Sequence, residues 1–242
     1  MNIALFGLIS GMTGTSIGGL AAFFINKASN RFLSSILEFS AGLMTSVVCC
    51  KLIPEAFSLG SSIAVFSGIF AGVAAIVVIE GFIKKSKFLK TKYNNSSLLK
   101  TGIMTSIGIA LHNFPEGFAV GSGFEASINL GLMITAVIVI HDIPEGIAMA
   151  VPMRAGGFSR SRAFFYTALS GVPMAFGALF GSLLGEISKQ LIAVCLGFAG
   201  GAMLYIVYGE LVPESKRLYL GRLSSIGNVL GIICGIIVSI CN

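Results

Sequence analysis

The chain has 242 residues, of which 55% are hydrophobic and 11% are charged, and its mean hydropathy is +0.93. A soluble globular domain carries about a quarter charged residues, so this composition excludes a water-soluble protein and indicates an integral membrane protein. The net charge of +6 does not call for a nucleic-acid partner, because basic loops facing anionic lipid headgroups account for it.

Apolar runs of about 20 residues, the length that crosses a bilayer core as a helix, recur along the chain. They predict an all-α integral membrane protein in which residues 1–242 form a single eight-helix transmembrane domain. The predicted spans are residues 2–25, 33–58, 62–83, 98–123, 127–153, 162–184, 188–212 and 224–241. No basic residue precedes Lys27, so the N-terminal run is interpreted as a retained span rather than as a cleaved signal peptide.

The basic residues predict the orientation of these helices. Fourteen of the 16 Lys and Arg lie in or beside the first, third, fifth and seventh loops, and the exceptions are Lys51 and Lys189. Basic loops stay on the cytoplasmic side, so both termini are predicted to be extracytoplasmic in a multi-pass protein of the cytoplasmic membrane.

Glycines at every fourth residue mark three of the predicted spans. They are Gly7 and Gly11 in the first, Gly177, Gly181 and Gly185 in the sixth, and Gly227, Gly231 and Gly235 in the eighth. Ridges of small residues let helices approach closely in lipid, so this pattern predicts tight helix packing.

Two pairs of similar segments indicate inverted repeats. "SAGLMTSVVCCKLIPEA" at residues 40–56 and "AGGAMLYIVYGELVPES" at residues 199–215 both place Met two residues after Gly and end near Pro-Glu. In the predicted topology these segments run in opposite directions, and so do the fourth and fifth spans. Inverted repeats are the common plan of secondary transporters, whose binding site lies near the bilayer midplane.

The two histidines of the chain lie in similar polar clusters, "HNFPEG" at residues 112–117 and "HDIPEG" at residues 141–146. In each cluster the His and the Glu are four residues apart, as in His112 and Glu116 or His141 and Glu145, and therefore share one helix face. His112 lies about 21 Å into the fourth span at ~1.5 Å per residue, which is near mid-membrane. Two such helices facing each other offer two imidazoles and two carboxylates, a donor set suited to zinc or a similar divalent ion.

Prolines follow the histidines within the same clusters. Pro115 and Pro144 cannot donate a backbone hydrogen bond, so each helix is predicted to kink beside the ligands, where freed carbonyls can line a polar cavity. Asn113 and Asp142 point about 100° away from the His/Glu face. If the kinks bring them alongside, they can hold a second ion, with the two glutamates bridging.

Charge also favours a metal. Glu116, Asp142 and Glu145 together in a low dielectric are costly without a cation, and a divalent ion offsets two of the three charges. A structural hydrogen bond also explains a single His–Glu pair in a membrane helix. Two matching clusters that use both histidines make the metal interpretation the stronger one.

At these residues the chain resembles the ZIP (Zrt/Irt-like) family of divalent metal transporters, close to its small prokaryotic members. "HNFPEG" is similar to the signature of that family's fourth helix and "HDIPEG" to that of its fifth, and "LIPEA" and "ELVPES" extend the resemblance. The resemblance implies a homodimer that moves metal into the cytoplasm by an elevator-like movement of helices 1, 4, 5 and 6. It also implies a binuclear site, with a first metal on His112, Glu116, His141 and Glu145, and a second on Asn113, Asp142 and the bridging Glu116 and Glu145.

This sequence departs from the family pattern at two places. Family members often add a carboxylate from helix 6 to the second site, but Met174 stands at that position here. A thioether is a poor ligand for hard cations, so the second site is expected to be weak or altered in selectivity, with one or two ions bound. The loop between helices 3 and 4 contains no histidine, in contrast to the histidine-rich loop of many members.

Further residues are candidates for the transport path. Glu210 and Glu214 are four residues apart at the inner end of the seventh span, where they could receive a departing ion. Met174 is a third candidate.

The predicted function is transport of a divalent metal, with zinc favoured and Fe²⁺, Mn²⁺ or Cd²⁺ as further candidates, rather than enzyme catalysis. Two alternatives remain at this stage. An intramembrane metal-dependent hydrolase would use a His-Glu-x-x-His helix, which neither cluster provides. A metal exporter would use the same ligands, because the residues do not set the direction of flux.

Overall fold

The computed structural model describes residues 2–24, 29–85, 96–183 and 189–240, and this part of the chain is helical almost throughout. The helices are α1 (Ile3–Gly19), α2 (Ala21–Phe24), α3 (Asn30–Val47), α4 (Ile53–Leu59), α5 (Ser62–Lys85), α6 (Ser96–Ala126), α7 (Ile128–Ala155), α8 (Arg160–Leu169), α9 (Pro173–Leu183), α10 (Lys189–Ile206), α11 (Val212–Leu218) and α12 (Arg222–Ile240). Two π-helical turns, Val48–Leu52 and Val207–Leu211, join α3 to α4 and α10 to α11.

Several of these helices are long and apolar enough to cross a membrane. Within the described ranges they are Ile3–Phe24, Asn30–Leu59, Ser62–Ile83, Ile128–Ala155, Arg160–Leu183 and Lys189–Leu218. The remaining two predicted spans correspond to α6 and to α12, in which Arg222–Ile237 is a shorter apolar helix. The all-helical, multi-pass architecture is confirmed, whereas the count of eight spans and the side on which the termini lie stay predictions.

The helices divide into two bundles. The motif bundle consists of α1, α2, α6, α7, α8 and α9, and the flanking bundle consists of α3, α4, α5, α10, α11 and α12. The bundles meet along a seam where α6 packs on α10 and α7 packs on α3. The helices of the motif bundle correspond to helices 1, 4, 5 and 6 of the predicted order.

Glycines allow the close packing inside each bundle. Gly177 of α9 faces the carbonyl oxygen of Phe114 in α6, and Gly231 of α12 faces that of Phe39 in α3, so that an added Cβ would overlap the neighbouring backbone. The predicted glycine ridges are therefore confirmed in both bundles, except at Gly185, which lies outside the described residues. Such contacts replace the hydrophobic effect as the source of helix association in lipid.

The two similar segments at residues 40–56 and 199–215 also share their local structure. In each, an α-helix passes through a five-residue π-turn into a short helix that carries Pro54 or Pro213 at its start. In both segments the wider π-turn lies just before a proline, a residue that has no backbone N–H to donate. By contrast, α6 and α7 continue as α-helices through Pro115 and Pro144.

Candidate metal site

The two histidine clusters lie in the middle of α6 and α7, which pack side by side in the motif bundle. The side chains of His112, Asn113, Asp142 and Glu145 are buried, and Glu116 is 8% exposed. The side chain of His141 is outside the described part of the structure. Five of the six predicted ligands are therefore placed in the protein interior.

Contacts along and between the helices bring these side chains together. His112 Nε2 lies 3.2 Å from Glu116 Oε1, so the predicted common face of α6 is confirmed for this pair. Glu145 of α7 interacts electrostatically with His112, and Asp142 interacts with Glu116 and Glu145. Among the described side chains, which lack His141, no three His, Cys, Asp or Glu residues form a closed metal-binding group. The ligand set as a whole stays a prediction.

Asn113 is oriented by a backbone carbonyl at the end of α8. Its Nδ2 donates a hydrogen bond of 2.9 Å to the carbonyl oxygen of Ser170, the C-cap residue of that helix. Its Oδ1 is buried and has no hydrogen-bond partner within the described ranges. A carboxamide oxygen held in this way has lone pairs to offer a cation, so Asn113 fits the role of an oxygen ligand.

Glycines bring the backbone of α1 against the turns that carry the cluster residues. An added Cβ on Gly14 would overlap the Cβ of Asp142, and one on Gly146 would overlap the carbonyl oxygen of Thr15. This close approach leaves no space for lipid beside Asp142, so the packing of α1 contributes to the burial of the cluster.

Met174 of α9 lies beside the cluster in apolar surroundings. Its side chain is fully buried and packs with Val120, Phe124 and Ile138. Its Sδ accepts a hydrogen bond of 3.2 Å from the Ser10 hydroxyl. These contacts are typical of packing, and a role for Met174 in the metal path stays a prediction.

The two predicted exit residues have basic partners. Glu210 pairs with Lys100, and Glu214 pairs with Arg217 through an N–O distance of 2.7 Å. Sequence reasoning did not single out Glu80, which also pairs with Lys100. The sequence did indicate a role for Glu80, since it is the one acidic residue of the third predicted span. Ionisable residues inside membrane segments usually have a partner or a function.

Comparison with known proteins adds independent evidence. The family model described as ZIP Zinc transporter matches residues 85–241. The zinc transporter ZupT of Corynebacterium aurimucosum is 35% identical over 228 residues, which cover 87% of this chain and 85% of that protein. ZupT of Clostridium perfringens is 32% identical over 263 residues, covering 95% and 92% of the two chains. The zinc transporter GufA of Myxococcus xanthus is 40% identical over 148 residues, covering 61% and 56%. The match to the family model extends from α6 to α12 and so includes both histidine clusters.

Proposed function

The chain belongs to the ZIP family of zinc transporters, and on this premise we propose that it imports zinc through a metal site between α6 and α7. It is a multi-pass membrane transporter and not an enzyme, so the metal-dependent hydrolase considered above is excluded. We further assign it to the cytoplasmic membrane, with both termini extracytoplasmic, and to a homodimeric assembly.

The observation that carries the proposal is the donor set buried in the middle of the motif bundle. Imidazole nitrogen and carboxylate oxygen are among the usual ligands of zinc in proteins. His112, Glu116 and Glu145 supply such donors within electrostatic reach of one another. A divalent ion also offsets carboxylate charge that is costly at membrane depth.

The proposed binding of metal follows the predicted binuclear arrangement. The first zinc ion binds His112, Glu116, His141 and Glu145. The second ion binds Asn113 and Asp142, with Glu116 and Glu145 bridging. Because Met174 of α9 stands where a carboxylate would add a hard oxygen donor, the second ion binds more weakly than the first.

The division into two bundles supports an elevator-type cycle. Each bundle is held together by glycine contacts, and the seam between them runs beside the metal site. A cavity of about 210 Å³ opens in this seam between Phe114 and Phe118 of α6 and Leu191 and Cys195 of α10. In the proposed cycle the motif bundle carries the metal past the flanking bundle as a rigid unit.

Zinc accumulation in cells tests the site and the direction together. Cells that express the chain should accumulate zinc, and cells that express His112→Ala at the same membrane level should not. Asn228→Ala is a matched control, because it removes an amide that binds Glu38 in the flanking bundle at 2.8 Å, and it should leave accumulation unchanged. Accumulation by His112→Ala would contradict the site, and zinc loss from cells expressing the parent chain would indicate the exporter instead.

A further inference from the structure

One lysine joins the two bundles at the end of the seam that is predicted to be cytoplasmic. Lys100 Nζ of α6 lies 2.8 Å from Glu80 Oε1 of α5 and 2.5 Å from Glu210 Oε1 in the second π-turn. Tyr205 of α10 donates a hydrogen bond of 2.7 Å to the other oxygen of Glu80. Lys100 belongs to the motif bundle, and its partners belong to the flanking bundle, so its ammonium group links the two.

The surroundings make this link stronger than a surface ion pair. The side chains of Glu80 and Glu210 are 9% and 5% exposed, and that of Lys100 is 21% exposed. Two carboxylates held close in a low dielectric repel each other unless a cation lies between them, and removing one member of a buried ion group is costly. The ammonium group has three donors and no lone pair, so Lys100 ties the carboxylates together and cannot bind a metal.

A second contact lies one turn earlier on the same helix. The Ser97 hydroxyl donates a hydrogen bond of 2.5 Å to Glu214, which belongs to α11 of the flanking bundle. The start of α6 is thus fixed to the flanking bundle through Ser97 and Lys100, and the neighbouring Thr101 hydroxyl lies 3.5 Å from Glu210 Oε2. Ser97 and Lys100 lie about 18 Å or more from His112 along α6, at ~1.5 Å per residue, and are distinct from the metal site.

Next to this link the seam is closed. Ile206 of α10 is fully buried and fills the space above Gly108 of α6, where an added Cβ would overlap its side chain. Further along α6 the seam contains the apolar cavity beside Phe114. The structure is therefore closed at the end that carries Lys100 and less tightly packed toward the other end.

We infer that Glu80, Lys100 and Glu210 form a latch that holds the seam closed at its cytoplasmic end and has to open before metal can leave on that side. The inference rests on the proposed import cycle for its role, while the link between the bundles is independent of it. Lys100 acts as a positioning residue, since it sets the relative position of the bundles without contacting the metal.

The accessibility of a cysteine at Ile206 tests the latch. In a full-length variant whose five cysteines are replaced by alanine, Ile206→Cys is treated with a membrane-impermeant thiol reagent from each side in turn. Adding Lys100→Met should raise the labelling rate from the cytoplasmic side by about tenfold, the population change that ~1.4 kcal/mol produces. Lys100→Arg keeps the charge and should restore a low rate. Lys216→Met removes an exposed lysine from the same side of the protein and should leave the rate unchanged.

A second variant tests the latch by changing the two carboxylates that bind Lys100. Glu80→Gln with Glu210→Gln leaves Lys100 between neutral groups and should raise the rate as Lys100→Met does. Equal rates in the parent and in both of these variants would overturn the latch, and so would an equal increase in Lys216→Met. Labelling requires no zinc, so zinc uptake measured on the same proteoliposomes tests the proposed function separately. If the parent takes up no zinc while the labelling rates of the parent and the latch variants still differ, only the import proposal is contradicted. If the parent takes up zinc while these labelling rates are equal, only the latch is contradicted.

Discussion

Two sets of buried carboxylates lie on different helices of the protein, and they differ in their neighbours. The central set shares its space with the imidazole of His112 and the carboxamide of Asn113, and consists of Glu116, Asp142 and Glu145. The second set, at the end of the seam that is predicted to be cytoplasmic, contacts Lys100 and Arg217 and consists of Glu80, Glu210 and Glu214. Imidazole and carboxamide have lone pairs for a metal, whereas ammonium and guanidinium groups have none. We therefore expect the neighbours of a carboxylate, and not its burial, to separate a binding role from a structural one.

The largest expected difference is between variants that each lack one carboxylate, one from the central set and one from the second set. Glu145→Gln should lower zinc uptake by at least about 10- to 100-fold, the loss that even an indirect partner of a metal ligand produces. Glu214→Gln breaks an ion pair with the half-exposed Arg217 and should change uptake by no more than about fivefold, the equivalent of ~1 kcal/mol. Uptake is measured in proteoliposomes at equal protein content. Similar losses in the two variants would remove the distinction between the sets.

Thermal stabilisation of the protein by zinc tests the same difference between the two carboxylate sets, and it does not depend on transport. Zinc should raise the melting temperature of the purified parent, because a ligand at 100 times its Kd stabilises the folded state by about 2.7 kcal/mol. His112→Ala should lose this shift, and Glu214→Gln should keep it. The measurement is thermal unfolding in detergent with and without zinc after treatment with a chelator. A full zinc-dependent shift in His112→Ala would place the binding site elsewhere.

Glycines near the two sets provide a smaller contrast. Gly146→Ala forces a Cβ into the carbonyl oxygen of Thr15 beside the central set, and overpacking of this kind costs about 1–3 kcal/mol. Gly81, the residue after Glu80, has no atom within 4 Å of an added Cβ, so Gly81→Ala should stabilise helix α5 by about 0.5–1 kcal/mol. Melting temperatures should therefore change in opposite directions. A decrease in both would show that the close approach of α1 is not what makes Gly146 sensitive.

The central set was largely predictable from the sequence, and the second set was not. The spacing of His112 and Glu116 is a local property of the helix, and two matching clusters predict facing helices. Glu210 and Glu214 have the same spacing, which by itself predicts only a pair that could receive the departing ion. Their basic partners depend on how distant segments pack, as Lys100 and Glu210 are 110 residues apart. Helical periodicity carries no information about such contacts. The bond between Asn113 and the Ser170 carbonyl could not be predicted for the same reason.

The smallest expected effect concerns Met174, which borders the central set. Met174→Leu conserves the volume of the side chain in its cluster with Val120 and Phe124, so it should cost no more than about 1.5 kcal/mol. The Ser10 hydroxyl loses its sulfur acceptor but keeps the carbonyl oxygen of Gly7, which lies 3.0 Å away. If Met174 only packs, the ratio of cadmium to zinc uptake in proteoliposomes should stay within about twofold of the parent, because no soft ligand has been removed. A thioether that binds metal during transport would instead favour cadmium, and its loss would lower the ratio well beyond that range. A lower ratio of cadmium to zinc uptake at unchanged melting temperature would therefore indicate that Met174 binds the metal and does not only pack beside it.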